Sequence, residues 1–288
     1  MASIHPKFLK TVLFLLLWAA AASSSEAAYR RIISLYPGHT DNIAALGGEP
    51  LLVGLSRNDD PNRLPQLPRF PLNSGAETLL ALRPDLVLIR TLVEKQNPEL
   101  KKVLERAGVT VCLIDPPSWD GFGDYLRRLA PLIGADPAEA AALLEKTRRE
   151  IHDESERRRA GRPAPKVFME ATAKELHTCA PNSWAARLIA LAGGINAASA
   201  AEPGRRGSAV APWGLERVLQ LSETGLDVYL VQHGPMNSSD IDSVLGRPWF
   251  SALKGVRAAV VPERWLSRPS LSGLKDGGMA LIQIFYGE

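Results

Sequence analysis

Glu77 and Glu216 occupy matched places in the two halves of this 288-residue chain, and their chemistry is that of fixed anions. Glu77 opens the stretch ETLLALRPDLVLI, and Glu216 opens ERVLQLSETGLDVYLV. Each acid stands in the first turn of a short amphipathic helix, where the helix dipole favours negative charge by about 0.3–1 kcal/mol. One such glutamate needs no function to explain it. A pair, each leading through a turn into an apolar strand, suggests two similar lobes that present one carboxylate apiece to a common partner. Charges at fixed separation on a rigid body engage a two-fold partner in one orientation, and such rim contacts act on encounter rate and orientation.

A second set of residues is suited to holding a ligand. Tyr36, His39, Arg57, Asn58, Asp59 and Arg90 fall at or just after apolar strands of the first half. Trp119, His177, Trp184, Trp213, His233, Trp265 and Arg268 fall in loops of the remainder. Ligands of parallel α/β lobes sit beyond the carboxyl ends of the strands, so these residues predict an aromatic and basic cleft. Of the six tryptophans, Trp18 lies in an N-terminal apolar run and Trp249 away from the rim. The other four suit a large, partly apolar ligand, although a loop tryptophan seals a domain core as often. Arg57, Arg90 and Arg268 are equally suited to ligand carboxylates and to salt bridges that close the lobes. His39 is the best-placed histidine for an axial contact to a metal. With His177 and His233 it lacks the i,i+4 spacing of a preformed zinc site, so polar rim histidines are the favoured reading, and neither a metal site nor a catalytic residue is assigned.

The elements that must position these residues alternate between strand and helix. Strands are expected at 32–36, 51–55, 86–89 and 109–115, then at 166–171, 226–232 and 258–261. Between them, helices are expected at 41–46 (capped by Thr40), from Glu77, at 98–107, at 183–191 (closed by Gly193-Gly194) and from Glu216. Strands apolar on both faces argue parallel sheets covered by helices. The region 122–159 reads as helical, broken at Pro131 and at 134–137, and its part 138–159 would be about 33 Å long. Its terminal Arg157-Arg158-Arg159 reads as a solvated end that favours positive charge. The fold class is therefore α/β, two three-layer lobes with mainly parallel sheets joined by one long helix. The expected division is 1–22 leader, 29–117 N-terminal lobe, 118–160 helical region and 161–288 C-terminal lobe. The last helical segment, 271–285, is diluted by Gly273, Gly277 and Gly278 and reads as weak. Cys112 belongs to a strand and Cys179 to a loop of the other half, and the two are expected as separate thiols.

Lys7 and Lys10, the apolar run 12–22 and the small residues that follow have the layout of a secretory signal peptide. The run is shorter than the roughly 20 residues of a spanning helix. No cysteine follows it before Cys112, so a soluble periplasmic protein without a lipid anchor is expected. The formal charge is +3 with two lysines in the leader, so the remainder is nearly neutral and lacks the electrostatic footprint of a nucleic-acid binder.

The segments RIISLYPGHTDNIAALGG, LVGLS, ETLLALRPDLVLI, WAARLIALAGGINAA, GLERVLQL and GRPWFSALKGVRAAVVP, in this order around a bridging helix, resemble the substrate-binding proteins of bacterial ABC importers for cobalamin, ferric siderophores and heme, with the cobalamin branch the nearest match. The resemblance covers about residues 30–270. It implies two α/β lobes on one long helix, a monomer with its ligand in the cleft between the lobes, and no resident cofactor. It also implies that Glu77 and Glu216 meet arginines of a permease dimer driven by its ATPase. The segment 56–71 departs from the pattern, with polar residues where the cobalamin branch supplies aromatics. Two other readings use the same architecture: an exported sensor or adaptor, and a hydrolytic enzyme drawing on Asp59-Asp60 and the loop histidines. No nucleophile elbow, HExxH or phosphate-cradling glycine loop supports the enzyme.

Overall fold

The computed structural model describes residues 29–287, so the expected leader lies outside the described residues. The first half builds β1 (Ile32–Ser34), α1 (Pro37–Ala45), β2 (Leu52–Ser56), β3 (Arg69–Phe70), α2 (Ala76–Leu80), β4 (Leu86–Ile89), α3 (Thr91–Gln96), α4 (Pro98–Arg106) and β5 (Thr110–Leu113). Then come α5 (Phe122–Leu129), a 3-10 turn at Ala130–Ile133 and the long α6 (Pro137–Arg159). The second half holds β6 (Lys166–Thr172), β7 (His177–Cys179), α7 (Trp184–Leu191), β8 (Ile195–Asn196), β9 (Val210–Ala211), α8 (Leu215–Glu223), β10 (Val228–His233), α9 (Ile241–Leu245), β11 (Arg257–Pro262), α10 (Glu263–Ser267) and α11 (Leu271–Tyr286).

The first sheet has the order β3-β2-β1-β4-β5 with every pair parallel. All four residues of β4 are buried, as a central parallel strand covered on both faces requires. The second sheet runs β11-β10-β6-β7-β9, with β8 beside β6. Here β7 is antiparallel to both neighbours, so β9 again runs with β6, β10 and β11. The expected α/β two-lobe class therefore holds, with one reversed strand in the second sheet.

Several local expectations need correction. Helix α1 begins at Pro37 behind Tyr36 as N-cap, because proline at the first position gives up an N–H that has no partner there anyway. Thr40, expected as the cap, lies inside the helix and donates to Ser34 Oγ at 2.9 Å. Cys179 ends strand β7 rather than lying in a loop; both cysteines are free thiols.

The last helix is the largest revision. It runs unbroken for 16 residues, and its glycines are contact points rather than weaknesses. A Cβ on Gly278 would come within 2.7 Å of Ile151 Cδ1, and one on Gly277 within 2.9 Å of the Trp265 Cβ. Only glycine lets α11 lie this close to α6 and α10. The helix also packs against α1 of the first lobe as well as α6 and α7.

Asp136 caps α6 by accepting from the N–H groups of Ala138 and Glu139 at 2.7 and 2.9 Å. The buried stripe of the helix is Ala140, Leu144, Thr147, Ile151 and Ser155. One apolar cluster passes from Ile32 and Leu86 of the first sheet, through Phe122, Leu144 and Ile151, to Val167 and Leu230 of the second. The lobes thus share a core, which opposes wide hinge bending. Among the described residues, no helix is long and apolar enough to cross a membrane.

Candidate functional site

The turns after β1, β2 and β4 form one wall of the interlobe cleft. Ser34 Oγ donates to the Tyr36 carbonyl at 3.1 Å, tightening the turn from β1 into α1. Arg90, at the turn after β4, lays its guanidinium over the Tyr36 ring, 4.8 Å from the centroid. Burial pushes the Tyr36 phenol up to about 12 against the opposing pull of Arg90 and Arg268, so the residue offers a neutral hydroxyl near neutral pH. Arg90 Nε is buried without a hydrogen-bond partner among the described residues. Arg57 and Asn58 lie exposed after β2.

The facing wall is α10, which follows β11. Arg268 Nη1 donates to the Asn58 carbonyl at 3.1 Å, and Arg264 Nη1 pairs with Asp60 Oδ2 at 3.3 Å. Beneath them Asn42 Nδ2 donates to the Pro269 carbonyl at 3.1 Å while its Oδ1 accepts from Leu271 N at 2.9 Å. These contacts stitch the lobes along a polar seam. Asp41, Asp59, Asp60, Arg63, Trp265, Arg268 and Asp276 line a cavity there of about 110 Å³. Asp59 is 5% exposed, and burial lifts its carboxyl to about 7, with the Asp41 charge adding and Thr40 and Arg69 opposing. Arg63 and Arg264 were not singled out from the sequence; the signal available for Arg63 was the charge alternation of the proline-broken segment after β2.

Other predicted residues are held elsewhere. His39 is fully buried inside α1 and cannot reach a ligand in the cleft. Its Nε2 lies 3.0 Å from the Ile114 carbonyl, which can only accept, and its Nδ1 lies 2.8 Å from the Tyr125 hydroxyl. The Nε2–H tautomer follows from that network. Burial drops the ring to about 4, so it stays neutral. Trp184 is likewise a core residue: its Nε1 donates to the Trp265 carbonyl at 3.1 Å, and its ring meets Phe122 edge-on. The Trp119 ring lies 4.9 Å from that of Trp184, tilted by 56°, beneath the Arg148 guanidinium. These two tryptophans close the joint between the lobes.

His177 Nδ1 lies 3.0 Å from Thr172 Oγ1, and His233 Nδ1 lies 3.0 Å from the Ser239 carbonyl. His39 in α1, His177 in β7 and His233 in β10 sit in separate networks. Among the described residues, no three acidic, histidine or cysteine side chains gather in a form that could hold a metal. Trp213 belongs to a different hollow, of about 740 Å³, lined also by Glu175, Glu216 and Arg217.

Glu77 and Glu216 are both exposed, each in the first turn of its helix. Helix α2 follows β3 and α8 follows β9, and both strands run with the parallel direction of their sheets. Each acid therefore stands at the carboxyl-end rim of its own lobe, the rim that also bears the cleft loops.

A charged network unread in the sequence lies in the second lobe. Glu170 of β6 is fully buried. It accepts from the Tyr229 hydroxyl, from Asn237 Nδ2 at 2.8 Å, and from both terminal nitrogens of Arg247. Burial alone would raise its carboxyl, but the donors outweigh it and hold the group below its ordinary value. The signal was a lone acid inside the apolar strand KVFMEAT.

The profile of the family described as periplasmic binding protein matches residues 32–261. Among curated proteins, the chain is 26% identical over 132 residues to a Bacillus subtilis (strain 168) protein, the uncharacterized ABC transporter substrate-binding lipoprotein YvrC. That match covers 44% of this chain and 41% of the relative, so the chain spans about two fifths of the length of the curated protein it matches. Among solved structures, the periplasmic heme-binding protein RhuT from Roseiflexus sp. RS-1 in apo form is 25% identical with a TM-score of 0.63, over 88% of this chain and 98% of that one. A periplasmic heme binding protein from Pseudomonas aeruginosa has 24% identity and a TM-score of 0.68, over 90% and 93%. The periplasmic vitamin B12 binding protein BtuF of Vibrio cholerae has 20% identity and a TM-score of 0.60, over 90% and 99%.

Proposed function

This chain belongs to the periplasmic binding protein family, and we propose on that premise that it captures a metal-containing chelate (a cobalamin, ferric siderophore or heme) in the interlobe cleft and delivers it to an ABC import permease. The observation that carries the reading is the cleft wall itself. Arg90 lies over Tyr36 on one side with Arg57 exposed after β2, and Trp265 and Arg268 of the α10 region line the seam cavity on the other, which together offer aromatic and guanidinium groups. Guanidinium forks suit the carboxylates or phosphate that such chelates carry. Similarity to solved periplasmic heme-binding and vitamin B12-binding proteins supports the ligand class. Release as a soluble periplasmic protein and docking through Glu77 and Glu216 complete the proposal.

Titration of the purified protein with cyanocobalamin, hemin and ferric siderophores, followed by tryptophan fluorescence, tests it. Trp265 at the cleft makes quenching the expected response. Silence with all three overturns the reading.

A further inference from the structure

The segment 57–63, RNDDPNR, leaves β2 and runs as a polar strap along the seam between the lobes. Two contacts join it to the second lobe: Asp60 Oδ2 accepts from Arg264 Nη1 at 3.3 Å, and the Asn58 carbonyl accepts from Arg268 Nη1 at 3.1 Å. Both lie at the surface, with the Arg264 and Asp60 side chains 48% and 33% exposed. Exposed ion pairs are weak and are screened by salt.

The strap keeps its shape without them. From β3, Arg69 donates to the carbonyls of Asp60 and Arg63 at 2.9 and 2.6 Å. Asp60 Oδ1 accepts from Asn62 N at 2.9 Å, so one carboxylate oxygen serves the turn and the other reaches across the seam. Leu64 and Leu67, just beyond, pack against the shared core. Arg63 reaches Asp41 of its own lobe at 3.4 Å through a long side chain that can follow the strap.

The space that the strap borders is small for a chelate. The seam cavity holds about 110 Å³ between Asp60 and Arg63 on one side and Arg264, Arg268 and Ser272 on the other, whereas ligand pockets span about 300–1,000 Å³. Some wall must yield. The lobes share one apolar core, which resists hinge bending. The α10–α11 wall is fixed to the first lobe at its backbone, where buried Asn42 binds the Pro269 carbonyl and Leu271 N. The strap, held across the seam by two surface contacts, is the wall that gives.

We propose that 57–63 is a latched lid: Arg264 and Arg268 hold it over the seam cavity, and ligand enters when those two contacts part. For what enters, the proposal rests on the chelate-capture reading; it adds the step that paces entry. Lids exclude water when shut and set rates when they open. The fraction of molecules with the lid open scales the apparent affinity and the rate of capture.

Hydrogen exchange of the full chain without ligand tests the latch, and Asp60→Asn is the suited variant because an asparagine Oδ1 still accepts from Asn62 N. At low ionic strength, exchange in 57–63 should rise about two- to fivefold while β4 stays unchanged. Arg264→Gln should match it, the double variant should add nothing further, and salt should bring the parent to the same rate. Strap exchange identical in parent and both variants overturns the latch; rises that add in the double variant overturn the pairing. Stopped-flow mixing with hemin and with cyanocobalamin then tests the lid: whichever binds should associate faster in Asp60→Asn by the same factor. A parental rate despite the looser strap overturns the lid and leaves chelate capture standing. Binding of neither overturns chelate capture, and strap exchange decides the latch by itself.

Discussion

Glu170 in the second lobe and Asp59 in the first are both buried carboxylates, yet their surroundings drive them in opposite directions. Glu170 faces Tyr229, Asn237 and Arg247, and its carboxyl is held low. Asp59 keeps one oxygen unpartnered and its carboxyl rises to about 7. Both carboxylates lose hydration on burial; the donors supplied in return differ. Where donors surround the acid, it fastens an element to the sheet. Here the loop between β10 and α9 is tied to β6. Where fewer donors are supplied, burial prevails and the carboxyl rises.

The strongest attack on this contrast removes the partner of the satisfied acid. Arg247→Ala leaves Glu170 buried and stripped of its cation, which costs about 3–5 kcal/mol. Urea unfolding should show the midpoint falling with an unchanged slope. A loss no larger than that of an exposed arginine would mean that the network adds nothing.

Asp59→Asn should act with the opposite sign. The folded state keeps the Asp59 proton between the unfolded value of 3.8 and about 7, so the native protein loses stability as pH rises through that window. The asparagine variant escapes this loss and gains up to about 4 kcal/mol above neutrality. His39 slopes the other way. Its folded value of about 4 lies below 6.5, so its contribution is complete above 6.5 and is lost as pH falls toward 4. In the parent protein the two oppose each other. In Asp59→Asn the His39 slope is unmasked, and thermal scans across pH should show steeper acid sensitivity. Parallel pH profiles for parent and variant would refute the assignment.

Tyr229→Phe is milder, because Arg247 and Asn237 remain on Glu170. Loss of one hydrogen bond to a charged acceptor costs about 1.5 kcal/mol. A loss as large as that of Arg247→Ala would show that the tyrosine, not the cation, is the main support.

The same contrast explains what the amino-acid pattern discloses. The runs Leu86–Ile89 and Val228–His233 announce themselves because a two-faced buried strand must be apolar throughout. Strands β3, β8 and β9 span two residues each, too few for any periodicity to register. The glycines of α11 suggest a poor helix until Ile151 and Trp265 are seen against them; propensity reports on an isolated segment, and close approach depends on its neighbour. In the cleft, the places of Tyr36, Arg57 and Arg90 just after strands were readable, whereas Arg268 follows α10 rather than a strand. His39 was misleading because a residue just past a strand end turned back into the first helix and was enclosed. The fates of Trp119, Trp184 and Trp213 depended on the packing of α5–α8, which nothing local encodes.

The smallest effect on the protein itself should come from Glu77→Lys and Glu216→Lys, although their consequence for delivery is the largest. Both acids are exposed at helix starts, so reversal should leave the unfolding midpoint nearly unmoved. Neither acid lines the seam cavity, and ligand affinity should also hold. If the rim of each lobe meets one half of a two-fold permease, either reversal should sharply reduce uptake and the double variant should abolish it, with contacts of this kind acting first on encounter. Uptake rates measured at rising ionic strength separate this from a local packing defect: screening should slow the parent protein toward the variants. Parent uptake indifferent to salt and to both reversals would place the docking surface elsewhere and leave the two glutamates as helix-dipole residues alone.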